Sequence, residues 1–191
     1  NCEYCGSLLI RFVRKNVNIN DSPIYTQTDE MLTKLREGFK KNLELQQSKQ
    51  KWISTKVKKS GSEKVLVSVD TSRYMTDYFG NNKFFPEAPM SSIALRVQLK
   101  GTKNWYTLRN KFKSMKCFPL FSGYEDRDNG LVEYALEFGS DYESAAKICK
   151  EVLLTLYSLS PNDLIDCWTD EVNEQIFEKR NIFRIIYMIF Y

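Results

Sequence analysis

Lys51-Trp52-Ile53-Ser54-Thr55-Lys56-Val57-Lys58 and Lys64-Val65-Leu66-Val67-Ser68-Val69-Asp70 flank Ser60-Gly61-Ser62, and in both runs apolar and polar residues alternate. A period of two puts successive side chains on opposite faces, so each run reads as a strand with one face toward water. The short Ser-Gly-Ser link makes the pair antiparallel, because a parallel pair needs a crossover of a dozen residues or more. Ser92 to Lys100 and Trp105 to Phe112, around Gly101-Thr102-Lys103-Asn104, predict a second hairpin. Asn129-Gly130 marks a turn before a further strand, Leu131 to Phe138.

Helical spacing surrounds these strands. Met31, Leu32, Leu35, Phe39 and Leu43 recur every three or four residues, which predicts an amphipathic helix from Thr28 to Gln50. Asp29 and Glu30 suit its positive end, while Gly38 inside it costs about 1 kcal/mol against alanine. Ser140-x-x-Glu143 reads as a capping box ahead of Ala145, Ile148, Cys149, Val152, Leu153 and Leu156. Ser160-Pro161-Asn162-Asp163 predicts another helix start, with Leu164, Ile165, Trp168, Val172, Ile176 and Phe177 as its stripe. A short helix and loop are expected over 71–91. Hairpin-linked strands followed by helices place the chain in the α+β class, a mainly antiparallel sheet packed against helices.

The chain has 191 residues, 42% hydrophobic and 27% charged, enough to bury a core without disulfide staples. It contains no histidine, which removes the commonest general base, the Ser-His and Cys-His nucleophile pairs and every histidine metal site. Scattered glycines leave no phosphate loop, nucleophile elbow or dinucleotide fingerprint. Five cysteines with a single Cys-x-x-Cys pair argue against a secreted disulfide framework, so a reducing compartment, the cytoplasm, is expected. Cys149 and Cys167 are expected as buried thiols on helices, and Cys117 as a strand-end residue. The chain lacks an initial methionine and ends in the apolar run Ile182 to Tyr191, so either end is expected to have been cut. That run is about half of the roughly 20 residues a bilayer crossing needs, so no membrane is expected unless it begins a truncated transmembrane helix.

Cys2-Glu3-Tyr4-Cys5-Gly6-Ser7 is a metal-type knuckle, two thiolates around a turn that glycine can close. Followed by the apolar Leu8-Leu9-Ile10, it resembles the C-terminal knuckle of the zinc-ribbon family over residues 1–18. The resemblance implies a structural zinc in the intact protein, with Cys2 and Cys5 as half of its ligands and the other pair supplied upstream. The expected organisation is a partial knuckle at 1–18, a linker and amphipathic helix at 19–50, and an α+β globular domain at 51–191.

Charge is strongly segregated. Residues 1–122 hold 22 Lys or Arg against 10 Asp or Glu, and residues 123–178 hold 3 against 14. Such asymmetry implies either a basic surface facing an anionic partner or two regions that attract each other. Arg96, Lys100, Lys103, Arg109, Lys111, Lys113 and Lys116 form an acid-free basic segment interleaved with Trp105, Tyr106 and Phe112. On a hairpin this pattern suits single-stranded nucleic acid, with phosphates on the cations and bases on the rings. Gln98-x-Lys100 with Glu87 or Asp77 faintly resembles the acid and lysine arrangement of metal-dependent restriction-type nucleases. Glu133 and Glu137 are expected on a solvated acidic strand face rather than around a cation with Asp126 and Asp128. Taken together, these features point to a non-enzymatic adaptor or regulatory module working through protein contacts or homodimerisation. Its partner surface is expected on the 28–50 helix or the 182–191 run. Nucleic-acid binding through 96–116 is the alternative, and a nuclease stands third.

Overall fold

The computed structural model describes residues 8–10, 29–76, 84–99, 105–126 and 131–172. Along the chain these form β1 (Leu8–Ile10), α1 (Glu30–Lys49), β2 (Ile53–Lys59), β3 (Val65–Thr71), β4 (Ile93–Gln98), α2 (Trp105–Lys113), β5 (Ser122–Asp126), β6 (Leu131–Gly139), α3 (Tyr142–Thr155) and β7 (Ile165–Glu171). Among the described residues the strands make one seven-stranded sheet in the order β1-β5-β6-β4-β3-β2-β7. Every neighbouring pair is antiparallel. The α+β class read from the sequence is the fold.

Alternation along the strands gives the sheet two different faces. Val57, Val67, Val69, Leu95, Val97, Val132 and Tyr134 form a continuous buried layer with Leu35 and Phe39 of α1 and with Ala145, Cys149, Val152 and Leu153 of α3. Rings close the end of this layer under α2, where Phe112 lies 5.0 Å from both Phe121 and Tyr134 and 5.4 Å from Phe118. Tyr134 finds room because the opposite residue in β5 is Gly123, whose added Cβ would come within 2.8 Å of the ring. Helix α1 is thus part of the main core, and β1 pairs with β5, so the segments read as lying outside 51–191 contribute to the same sheet and core.

Asp29 caps α1, its Oδ1 accepting from Leu32 N at 3.1 Å. The cap of α3 is Asp141, accepting from Ser144 N at 3.0 Å, one residue later than the predicted Ser140. Gly38, a cost in helix propensity, has a packing reason. A Cβ there would lie 3.2 Å from Cys167 Cβ and 3.5 Å from Thr55 Cγ2, so its absence lets α1 settle onto β2 and β7.

Three readings are corrected. Trp105 to Lys113 is helix α2 and not the second arm of a hairpin, because Trp105, Leu108 and Phe112 carry a three-four stripe that packs on the core. Residues 165–171 are strand β7 and not a helix, because Ile165, Cys167 and Thr169 alternate with Asp166, Trp168 and Asp170, and the strand pairs residue for residue with β2. The Ser160 to Asp163 start signal is instead a turn, with Ser160 N donating to Asp163 Oδ2 at 2.8 Å. Over 71–91 the described helix is a single 3-10 turn, Ser72–Tyr74. Cys117 is buried at the turn before Phe118 rather than on a strand, and Cys167 sits on β7.

Candidate functional site

The helix-free face of the sheet is polar. Ser68 and Asp70 of β3, Arg96 and Gln98 of β4, and Glu133 of β6 share it by strand register. Arg96 Nε lies 3.6 Å from Asp70 Oδ2, its Nη1 3.9 Å from Glu133 Oε1, and its Nη2 donates to Thr76 O at 2.7 Å. Ser68 donates to Asp70 at 2.9 Å and Gln98 to Glu133 at 2.7 Å. Glu133, expected on a solvated face, is fully buried, since the sheet is covered here by more than water. Met75, Phe84 and Phe85 from the β3–β4 connection pack on Ala94 and Ala135 of this face. Phe84 N donates to Met75 O at 3.0 Å, and Ser72 N to Ser92 O at 2.9 Å, which holds the connection down.

The described basic and aromatic residues of 96–116 do not form one surface. Phe112 is in the core, Arg109 is buried, and Arg96 is committed to two carboxylates. Lys111 donates to Leu156 O at 3.3 Å and Ser158 Oγ at 2.8 Å, and the Lys113 ammonium lies 6.0 Å from the Phe118 ring. Trp105 is half-buried, Tyr106 is 60% exposed, and Lys116 is exposed. Lys100 and Lys103 lie outside the described residues, as do Cys2, Cys5, Asp77, the Asn129-Gly130 turn and the 182–191 run. Among the described residues no group of three His, Cys, Asp or Glu is placed to hold a metal ion, and no helix is long and apolar enough to cross a membrane.

The segregated charges meet inside the fold. Lys49 and Lys51 pair with Glu171, Lys51 at 3.0 Å. Lys56 pairs with Asp170 at 3.3 Å, Lys59 with Asp163 at 2.9 Å, and Arg36 with Glu143 at 2.6 Å. Hydrogen bonds from Lys49 and Lys51 hold the Glu171 carboxyl below its usual range, and those from Lys59 and the Ser160 backbone do the same for Asp163. Basic strand β2 is therefore matched by acidic strand β7. Trp168 lies directly across from Lys56, and the Lys56 and Lys58 ammonium groups lie 5.9 and 5.4 Å from its ring.

Among the described residues this pairing leaves one side of β7 without a neighbouring strand. Val172 N donates to Trp52 O at 2.8 Å and Ser60 N to Leu164 O at 2.9 Å, so the even-numbered backbone groups aim at β2. By alternation those of Ile165, Cys167, Thr169 and Glu171 aim outward. Lys34 Nζ reaches Ile165 O at 3.4 Å from outside, in keeping with that phase. The backbone groups of Cys167 and Thr169 have no partner strand among the described residues. A cleft of about 500 Å³ runs beside this edge, lined by Lys34, Glu37, Gly38 and Lys41 of α1 and by residues 165–169. Burial pushes the Cys167 thiol up to about 12, so this cleft offers a neutral thiol rather than a thiolate nucleophile. Sequence reasoning missed this site because it read 165–171 as helical. The usable signal was Asp166 and Asp170 alternating in step with Lys56 and Lys58.

The 28–50 helix was the other predicted surface, and its apolar stripe is spent on the core, with Leu35 and Phe39 wholly buried. No protein-family model, curated protein or solved structure matches the chain.

Proposed function

We propose that the chain is a non-enzymatic binding module of a zinc-ribbon-containing protein, acting through protein–protein contacts, and that a partner segment joins the sheet at the outer edge of β7. The observation that carries this reading is the phase of β7. Its odd-numbered backbone groups aim away from β2 beside a cleft of about 500 Å³. Strand addition draws its affinity from main-chain hydrogen bonds and its selectivity from the alternate side chains. Proteins blunt edges they do not use, so an edge with no partner strand among the described residues, beside a cleft, supports use rather than neglect.

Amide exchange tests this reading. In the free chain the Cys167 and Thr169 amides exchange faster than those of Trp168 and Asp170, which bond to β2. An extended peptide that docks slows the first pair. Equal protection of all four before any peptide is added overturns the reading.

Cys2-x-x-Cys5-Gly6 supports zinc in the intact protein, which metal analysis of that protein checks. Three free thiols, Cys117, Cys149 and Cys167, support a cytoplasmic setting. Nucleic-acid binding keeps one specific observation in its favour. Exposed Tyr106 meets Trp105 edge-on, with the Arg109 guanidinium 6.0 Å from its ring. Retention of a labelled single-stranded oligonucleotide at ~50 mM salt, lost on Tyr106→Ala, checks it.

A further inference from the structure

The partner strand can be described further from the wall it faces, an inference that rests on docking at β7. Helix α1 and β7 run in the same direction, since Lys34 meets Ile165, Gly38 meets Cys167 and Lys49 meets Glu171. A strand laid along the β7 edge therefore has every second side chain directed at the row Lys34, Glu37 and Lys41. Lys34 and Lys41 lie two helical turns apart, about 10 Å along the axis, which is within the span of side chains two to four residues apart in an extended chain.

The charges on the two sides of this edge are not equivalent. On β7 the carboxylates are engaged, Glu171 with Lys49 and Lys51, Asp170 with Lys56, and Asp166 with the Ser60 hydroxyl at 2.7 Å. On α1, Lys34 is shared with Glu30 at 3.3 Å, and Lys41 is exposed with no carboxylate partner among the described residues. Glu37 stands between them and Glu30 already shares Lys34, so Lys41 carries the unmatched positive charge of the wall and Lys34 is its weaker end. We infer that the segment received at β7 is an extended stretch of a partner protein with carboxylates at alternate positions, directed at Lys34 and Lys41.

The test uses the full chain and two fluorescent peptides, one alternating valine with glutamate and one alternating valine with lysine, each also made with alternate backbone nitrogens methylated. The glutamate peptide binds about tenfold more tightly than the lysine peptide, the size expected of two partly exposed ion pairs. Its advantage shrinks with salt, and the Lys34→Glu/Lys41→Glu chain prefers the lysine peptide. The single variant Lys41→Glu, at a solvent-facing position, shows a smaller loss and guards against a folding defect in the double. Methylation abolishes binding if the main chain does the docking. Equal binding of both peptides overturns the acidic-partner inference while leaving edge docking standing. Binding of neither, or binding indifferent to methylation, removes edge docking and the inference with it.

Discussion

The two faces of the sheet solve burial in opposite ways. Under the helices, apart from the buried Lys150–Asp29 pair that ties α3 to the cap of α1 and the buried Arg109, polar groups follow one uncharged thread. Gln46 Nε2 donates to Asn42 Oδ1 at 2.6 Å, Asn42 Nδ2 donates to Thr55 Oγ1 and Val69 O at 3.0 Å each, and Thr55 Oγ1 meets Thr169 Oγ1 at 2.9 Å. On the helix-free face, charge itself is buried, with one guanidinium between two carboxylates under a short apolar cover. The first arrangement derives its stability from area removed from water, and the second is tolerable only while each charge keeps its counterpart. A mutation should therefore act through lost packing on one face and through lost partnership on the other.

The largest effect is expected on the apolar face. Phe112→Ala empties the centre of the ring cluster and should lower unfolding free energy by about 3 to 5 kcal/mol in denaturant titrations. On the charged face, Arg96→Met strands Asp70 and Glu133 in a dry setting and should cost about 3 kcal/mol, although it removes little volume. The asymmetry appears in the rescue. Adding Asp70→Asn and Glu133→Gln to Arg96→Met should restore most of the loss, whereas no charge change rescues Phe112→Ala. If the triple variant is no better than Arg96→Met, the charged face is held by shape after all.

Gly38→Ala sharpens the same contrast at smaller scale. Helix propensity alone favours alanine by about 1 kcal/mol, but the new methyl meets Cys167 Cβ, whose position is set by the β7 backbone, at 3.2 Å. Net destabilisation of about 1 kcal/mol is expected, since overpacking displaces α1 from the strands. A stabilised variant shows that α1 can rise without loss.

The smallest effect is that of pH on β7. Asp163 and Glu171 have folded-state acidities below their ordinary range, so their contribution is complete above the unfolded value of about 4 and fades as pH falls through the folded one. Glu171 is exposed and Asp163 half-buried at the surface, so the effect is slight and salt-screened. Amide spectra recorded from about pH 6 down to pH 3 should show shifts in residues 166–170 before any in α3. Simultaneous change would mean that β7 is not separately anchored.

Much of this plan is legible in the residues. The three-four stripe of Met31 to Leu43, the alternation of β2 and β3, and the run into α3 each satisfy one period only, so local pattern and tertiary outcome agree. The failures fall where two periods coexist. In Trp105 to Phe112, aromatic and β-branched residues suggest a strand, while the spacing of Trp105, Leu108 and Phe112 is helical, and packing against Phe121 and Tyr134 decides. In Ile165 to Glu171, Leu164, Ile165, Trp168 and Val172 suit a helix, and the decisive fact, a complementary strand more than a hundred residues earlier, is not local. The ion network failed similarly. Glu133 reads as surface because nothing near it in sequence reveals Arg96 and Gln98, which meet it across the sheet. The candidate site was legible only as its ingredients, basic β2 and acidic β7.

The thread through Thr55 has a wider consequence. One hydroxyl meets α1 from above, through Asn42, and β7 from the side, through Thr169. The height of the helix and the phase of the outermost strand are thus read from a single point, and Asn42 sits at the handle of that mechanism with no solvent exposure. A change at Asn42 would shift the spacing between cleft wall and strand edge together. Selection could thereby adjust affinity for a ligand from inside the molecule, without altering any residue the ligand touches.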